Sequence, residues 1–101
     1  MFYNVLKAKD LVECEAHHID RDVLLENGGS ALTIIGIKKE EIIDFHVSEN
    51  NSCVYLIDGE VELHFDAEKF TLKSGELLLF KKGDTHKVLA LKDSKFLLIK
   101  M

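Results

Sequence analysis

Val61-Glu62-Leu63-His64-Phe65-Asp66 alternates apolar and polar residues without a fault. A period of two puts Val61, Leu63 and Phe65 on one face of a β-strand and Glu62 and His64 on the other. After the polar turn Asp66-Ala67-Glu68-Lys69, the alternation resumes in Phe70-Thr71-Leu72. Leu77-Leu78-Leu79-Phe80 is a continuous apolar run, and its expected state is a strand buried on both faces. Val88-Leu89-Ala90-Leu91 and Phe96-Leu97-Leu98-Ile99 give two further strands around the bend Lys92-Asp93-Ser94. Upstream, Asp22-Val23-Leu24-Leu25 and Ala31-Leu32-Thr33-Ile34-Ile35-Gly36-Ile37 flank Asn27-Gly28-Gly29-Ser30, a hairpin signal whose glycines accept positive φ. Ile42-Ile43-Asp44-Phe45-His46-Val47 and Cys53-Val54-Tyr55-Leu56-Ile57 enclose the polar loop Ser48-Glu49-Asn50-Asn51-Ser52, and Asp58-Gly59 reads as a tight type I′ turn. Turn signals every 8–12 residues or so predict an all-β sandwich or barrel. Only Leu11 to His18 leaves room for a helix.

The rest of the composition narrows the class. At 101 residues the chain makes one domain, with 47% hydrophobic and 31% charged residues and no proline. The net charge of −5, with no basic block longer than Lys38-Lys39 or Lys81-Lys82, argues against nucleic acid as partner. No apolar run approaches the roughly 18 residues of a membrane span. The start Met1-Phe2-Tyr3-Asn4 lacks the pattern of a secretion signal, and Cys14 and Cys53 read as reduced thiols, so the expected location is the cytoplasm.

Glycine and histidine spacing adds a resemblance. Gly75, five residues, Lys81-Lys82-Gly83, two residues and His86 follow the second cupin motif, G-x5-P-x-G-x2-H-x3-N, with Lys81 at the proline and Ala90 at the asparagine. His46 and Tyr55-Leu56-Ile57-Asp58-Gly59-Glu60 resemble the first motif, G-x5-H-x-H-x3-4-E-x6-G, with Gly59 at its last glycine. The match runs over 38–101 and resembles a small single-domain cupin. It implies a jelly-roll β-barrel, a sandwich of two antiparallel sheets, with residues 1–30 as N-terminal strands that contact a second copy.

The departures from the motifs bear on function. In metal-binding cupins two histidines and a glutamate of the first motif join the last histidine. Here the glutamate position falls on Ser52 and the second histidine on Ser48 or Val47, which leaves His46 and His86. A serine hydroxyl is a poor donor to a transition metal, and two histidines hold a cation loosely. The resemblance therefore implies a small molecule bound in the barrel interior, oriented by His46, Ser48, Ser52 and His86, with a weak or absent metal site. The alternative is a metal-dependent dioxygenase or isomerase in which His46 and His86 bind zinc, iron, manganese or nickel and Asp44 or Glu49 completes the set. A metal-free acid–base role for the two histidines is a third reading. His64 reads as a surface residue, Cys53 as a small buried hydrophobe, and Cys14 with His17-His18 lacks a second ligand pair. The apolar side chains of Ile34, Ile35, Ile37, Ile42 and Ile43 exceed what one barrel interior needs, which predicts an apolar patch and a homodimer.

Overall fold

Strands form wherever the period-two pattern occurs. The computed structural model describes residues 3–45, 49–84 and 86–101. Along them run a 3-10 turn (Ala8–Asp10) and the strands β1 (Asp20–Asn27), β2 (Ser30–Ile37), β3 (Ile42–Phe45), β4 (Ser52–Asp58), β5 (Glu60–His64), β6 (Lys69–Lys73), β7 (Leu77–Phe80), β8 (His86–Ala90) and β9 (Ser94–Lys100). They make two antiparallel sheets, ordered β1-β2-β9-β4-β7 and β3-β8-β5-β6. The fold is all-β, in a cupin-like jelly-roll arrangement. Asn27 pairs with Ser30 across the Gly28-Gly29 hairpin, where Gly28 has φ of 60°.

The inner faces of the sheets close on one core. Val61, Leu63, Val88, Ile43 and Ala90 face Ile35, Val54, Leu56, Phe96 and Leu98, all buried. Glu62 and His64 lie on the other side of β5, as their alternation requires, and their side chains meet at 3.0 Å. Each buried aliphatic side chain contributes about 1.5–3 kcal/mol.

Several expectations change. The Leu77–Phe80 run is an edge strand: Leu77 and Leu79 are exposed, Leu78 is half-buried and Phe80 is buried. Asp58-Gly59 does not close a hairpin, because β4 and β5 belong to different sheets. It turns the corner between them. Gly59 takes φ of 105°, and a Cβ there would collide with Ser94 Oγ and the Asp93 carbonyl. Ser94 is fully buried and locks the same corner by accepting from Glu60 N at 3.0 Å and donating to the Lys92 carbonyl at 2.7 Å. Leu11 to His18 forms no helix; His17 sits at φ of 61° and Glu15 and His18 bridge. Of the isoleucines expected to form an outer patch, Ile34, Ile35, Ile37 and Ile43 are buried within the chain, and Ile42 is exposed. The alternation of β2 sends Ile35 and Ile37 inward. Ile34 points to the outer face, where the N-terminal segment covers it around the buried Val12.

Cys14 and Cys53 are free thiols. No helix among the described residues is long and apolar enough to cross a membrane.

Candidate functional site

One end of the sandwich gathers Ser52 from the start of β4, Phe80 from the end of β7 and His86 from the start of β8. Phe65, just past β5, completes it. Register dictates part of this: Ser52 pairs with Phe80 in one sheet, and His86 pairs with the Phe45 backbone in the other. Across the gap the Phe80 and His86 ring centroids are 4.5 Å apart. Phe65 lies 5.6 Å from His86 and 5.7 Å from Phe80, with an edge-on approach to the latter. Such ring contacts contribute about 0.5–1.5 kcal/mol each beyond burial.

Two turns frame this aromatic cluster. The β5–β6 turn is closed by Phe65 N donating to the Glu68 carbonyl at 2.8 Å. The β7–β8 turn carries Gly83 at φ of 97°, and Lys82 N donates to Asn51 Oδ1 at 3.1 Å. Between them opens a concave pocket of about 710 Å³. Phe65, Phe70, Leu78 and Phe80 give it an apolar wall, while Asp66, Glu68, Lys81, Lys82 and Asp84 supply charge. That is within the size range of small-molecule sites, roughly 300–1,000 Å³.

His86 sits behind two of these rings, only 5% exposed. Its Nδ1 lies 3.5 Å from the Asp84 carbonyl. Burial pushes its pKa below the ordinary 6.5; the Asp84 carbonyl and carboxylate oppose this, and the Lys100 charge adds to it. The imidazole is therefore neutral near pH 7. Ser52 is buried and donates to the Asn50 carbonyl at 3.3 Å. It lines a separate depression of about 300 Å³ with Cys53, Leu79, Phe80, Lys81 and Met101. Ser52 and His86 thus share Phe80 as a neighbour. His46 and Ser48 lie outside the described residues.

The sequence profile of the cupin domain matches residues 33–100. The chain belongs to the cupin family. Three solved structures show how closely the fold of this cupin is shared. A conserved protein of unknown function from Streptococcus pyogenes superposes with a TM-score of 0.90 at 21% identity, over 100% of this chain and 89% of that one. A cupin superfamily protein from Desulfitobacterium hafniense gives 0.90 at 16% identity, over 100% and 93%. A cupin-2 domain protein from Shewanella frigidimarina gives 0.75 at 19%, over 95% and 93%. At these identities the likeness extends to the fold alone. Among curated proteins none matches the sequence.

The described side chains around His86 do not by themselves make a transition-metal site. Among the described residues no three His, Cys, Asp or Glu side chains gather as ligands. The metal-dependent alternative required Asp44 or Glu49 beside His86. Asp44 pairs with Lys87, one residue out of phase with His86, so it emerges on the outer face of the sheet, exposed. Glu49 is exposed as well. The rings of Phe65 and Phe80 pack against His86, and they offer a cation no lone pair. Cys14 donates to the Ser94 carbonyl at 3.4 Å while His17 turns to Glu41, so that pair makes no site either. Burial raises the pKa of Cys53 and keeps it a thiol, not a nucleophilic thiolate.

Sequence reasoning takes Phe65 and Phe80 as core or interface aromatics and does not single them out as the rings that line the pocket. The signal was present in two strand-ending phenylalanines, but nothing in one-dimensional spacing says that strands of different sheets bring them together.

Proposed function

We propose that this cupin binds a small organic molecule at the open end of its barrel without the help of a tightly held metal. The observation that carries the reading is the pocket between the β5–β6 and β7–β8 turns, floored by the rings that pack on His86. An apolar or aromatic body would lie along Phe65, Phe70 and Phe80, and Lys81 and Lys82 would receive an anionic group. His86 and Ser52 act from behind Phe80, where the neutral imidazole keeps the floor uncharged. No reaction is assigned to the site.

The free thiols and acidic composition support a cytoplasmic protein, and the apolar outer sheet face supports a homodimer.

Titration with 1-anilinonaphthalene-8-sulfonate, an apolar probe with one anionic group, tests the pocket. Binding to the folded wild type that weakens about tenfold in Phe70→Ala supports the reading. A probe that ignores both Phe70→Ala and a Lys81→Ala, Lys82→Ala double variant counts against it. Stoichiometric iron, zinc, manganese or nickel in protein purified without added metal would restore the metalloenzyme alternative.

A further inference from the structure

The pocket between the β5–β6 and β7–β8 turns is polarised by the way the chain enters it. Asp66 and Glu68 come from the turn within the four-stranded sheet, and that turn brings no basic residue to the pocket. Lys81 and Lys82 follow the end of β7, in the five-stranded sheet, with Asp84 two residues further on. One side therefore carries two negative charges and the other a single net positive charge. Between them lie the rings, with Phe70 edge-on to Phe65 at 5.9 Å and Phe80 edge-on to it at 5.7 Å.

Opposite charges elsewhere on the surface find each other. Lys38 meets Asp93 at 3.1 Å, and Lys69 and Lys92 reach Glu62 and Glu60 at 3.9 Å. Around the pocket they do not: among the described residues, none of its five charged side chains lies within 4.0 Å of an opposite charge. Stacked sheets stand about 10 Å apart, wider than an ion pair, so a ligand rather than a direct contact is what bridges the two sides. A ligand with an anionic group alone meets the lysines but leaves Asp66 and Glu68 beside its apolar body. An ammonium at its other end takes those carboxylates as counter-charges and a phenyl face as a cation–π partner.

We propose that the ligand is a zwitterion, with its ammonium between Asp66 and Glu68, a single anionic group at Lys81 and Lys82, and a short apolar or aromatic body along the phenylalanines. This rests on the pocket reading and names its ligand class. The two charges of an α-amino acid headgroup share one carbon and meet only one side. Charges at opposite ends of the body meet both.

Three probes with the same ring and different ends test the proposal: para-(aminomethyl)benzoate, para-methylbenzoate and para-methylbenzylamine, titrated by calorimetry at neutral pH. The charged side chains are exposed, so each contact is modest. The zwitterion is expected to bind about tenfold more tightly than either singly charged probe. Asp66→Asn with Glu68→Gln is expected to remove its advantage over para-methylbenzoate. Should circular dichroism show that pair misfolded, Glu68→Gln alone takes its place, since the Glu68 backbone carbonyl still closes the turn. Lys81→Ala with Lys82→Ala is expected to remove the advantage over para-methylbenzylamine. A singly charged probe that binds as tightly as the zwitterion overturns the proposal and leaves the pocket reading standing. So does silence from all three while the anilinonaphthalene sulfonate still binds. A zwitterion preference that survives the carboxylate variants overturns the place given to the ammonium. Failure of all four probes overturns the proposal and the pocket reading together.

Discussion

The outer faces of the two sheets are built alike and finished differently. On the four-stranded sheet one cross-strand row reads Asp44, Lys87, His64, Lys69, and the next reads Ile42, Leu89, Glu62, Thr71. Charges of both signs lie there, and Glu62 touches both His64 and Lys69. On the five-stranded sheet the corresponding row has five apolar residues. Both sheets bury their inner faces on the same core, so core formation does not account for the difference. A sheet face that water solvates needs polar side chains; one that another surface covers does not.

The largest expected effects lie beneath both faces. Leu63→Ala, at a fully buried position of β5, should cost about 2–5 kcal/mol in urea unfolding. Gly59→Ala should lose on the order of 2–4 kcal/mol, because positive φ and the collision with Ser94 add together. If either change is tolerated within about 0.5 kcal/mol, the shared core does not hold the two faces together as described.

A second effect comes from the aromatic end of the core. His86 is held neutral in the folded state, while the unfolded chain takes up a proton as pH falls through about 6.5. Its contribution therefore destabilises the fold progressively as pH drops from 6.5 toward the lower folded pKa, and is absent above that window. Thermal midpoints between about pH 7 and 5.5 should fall less steeply for His86→Leu than for wild type. Equal slopes would mean that the ring is protonated as easily inside as outside.

The outer faces give the smallest changes in stability and sharpen the contrast most. Lys69→Ala on the charged face should shift stability by no more than about 1 kcal/mol. Leu89→Lys on that face should leave the sedimentation coefficient unchanged, whereas the same chemical change at Leu25 should lower it. Identical behaviour of the two lysine variants would erase the distinction between the faces.

β5 was legible in the sequence because its two faces meet different solvents, and the alternation of Val61 to Phe65 records that. β7 was not. Leu77 to Phe80 has one face in the core and an equally apolar face outside, so its pattern is that of a doubly buried strand. The same ambiguity hid the outer patch, since counting isoleucines cannot separate Ile35, which points inward, from Ile34, which points outward under Val12. The spacing from Gly75 through Gly83 singled out His86, which the fold places against Phe65 and Phe80. The exclusion of Asp44 depended on its pairing with Lys87, a register that only the assembled sheet fixes. Phe65 and Phe80 meet across sheets, and no local pattern encodes that.

The position of β9 has a consequence for biosynthesis. It is the middle strand of its sheet, yet of that sheet's five strands it is the last to leave the ribosome. Until it emerges, the β1–β2 hairpin and the β4–β7 pair have no strand to join them, and their apolar inner faces have no common sheet. The five-stranded layer is therefore assembled after translation has passed Lys100, in one late closing step. Ribosome-stalled chains that lack residues 94–100 should be cut by protease throughout their length, and release of the full chain should abolish the cleavage.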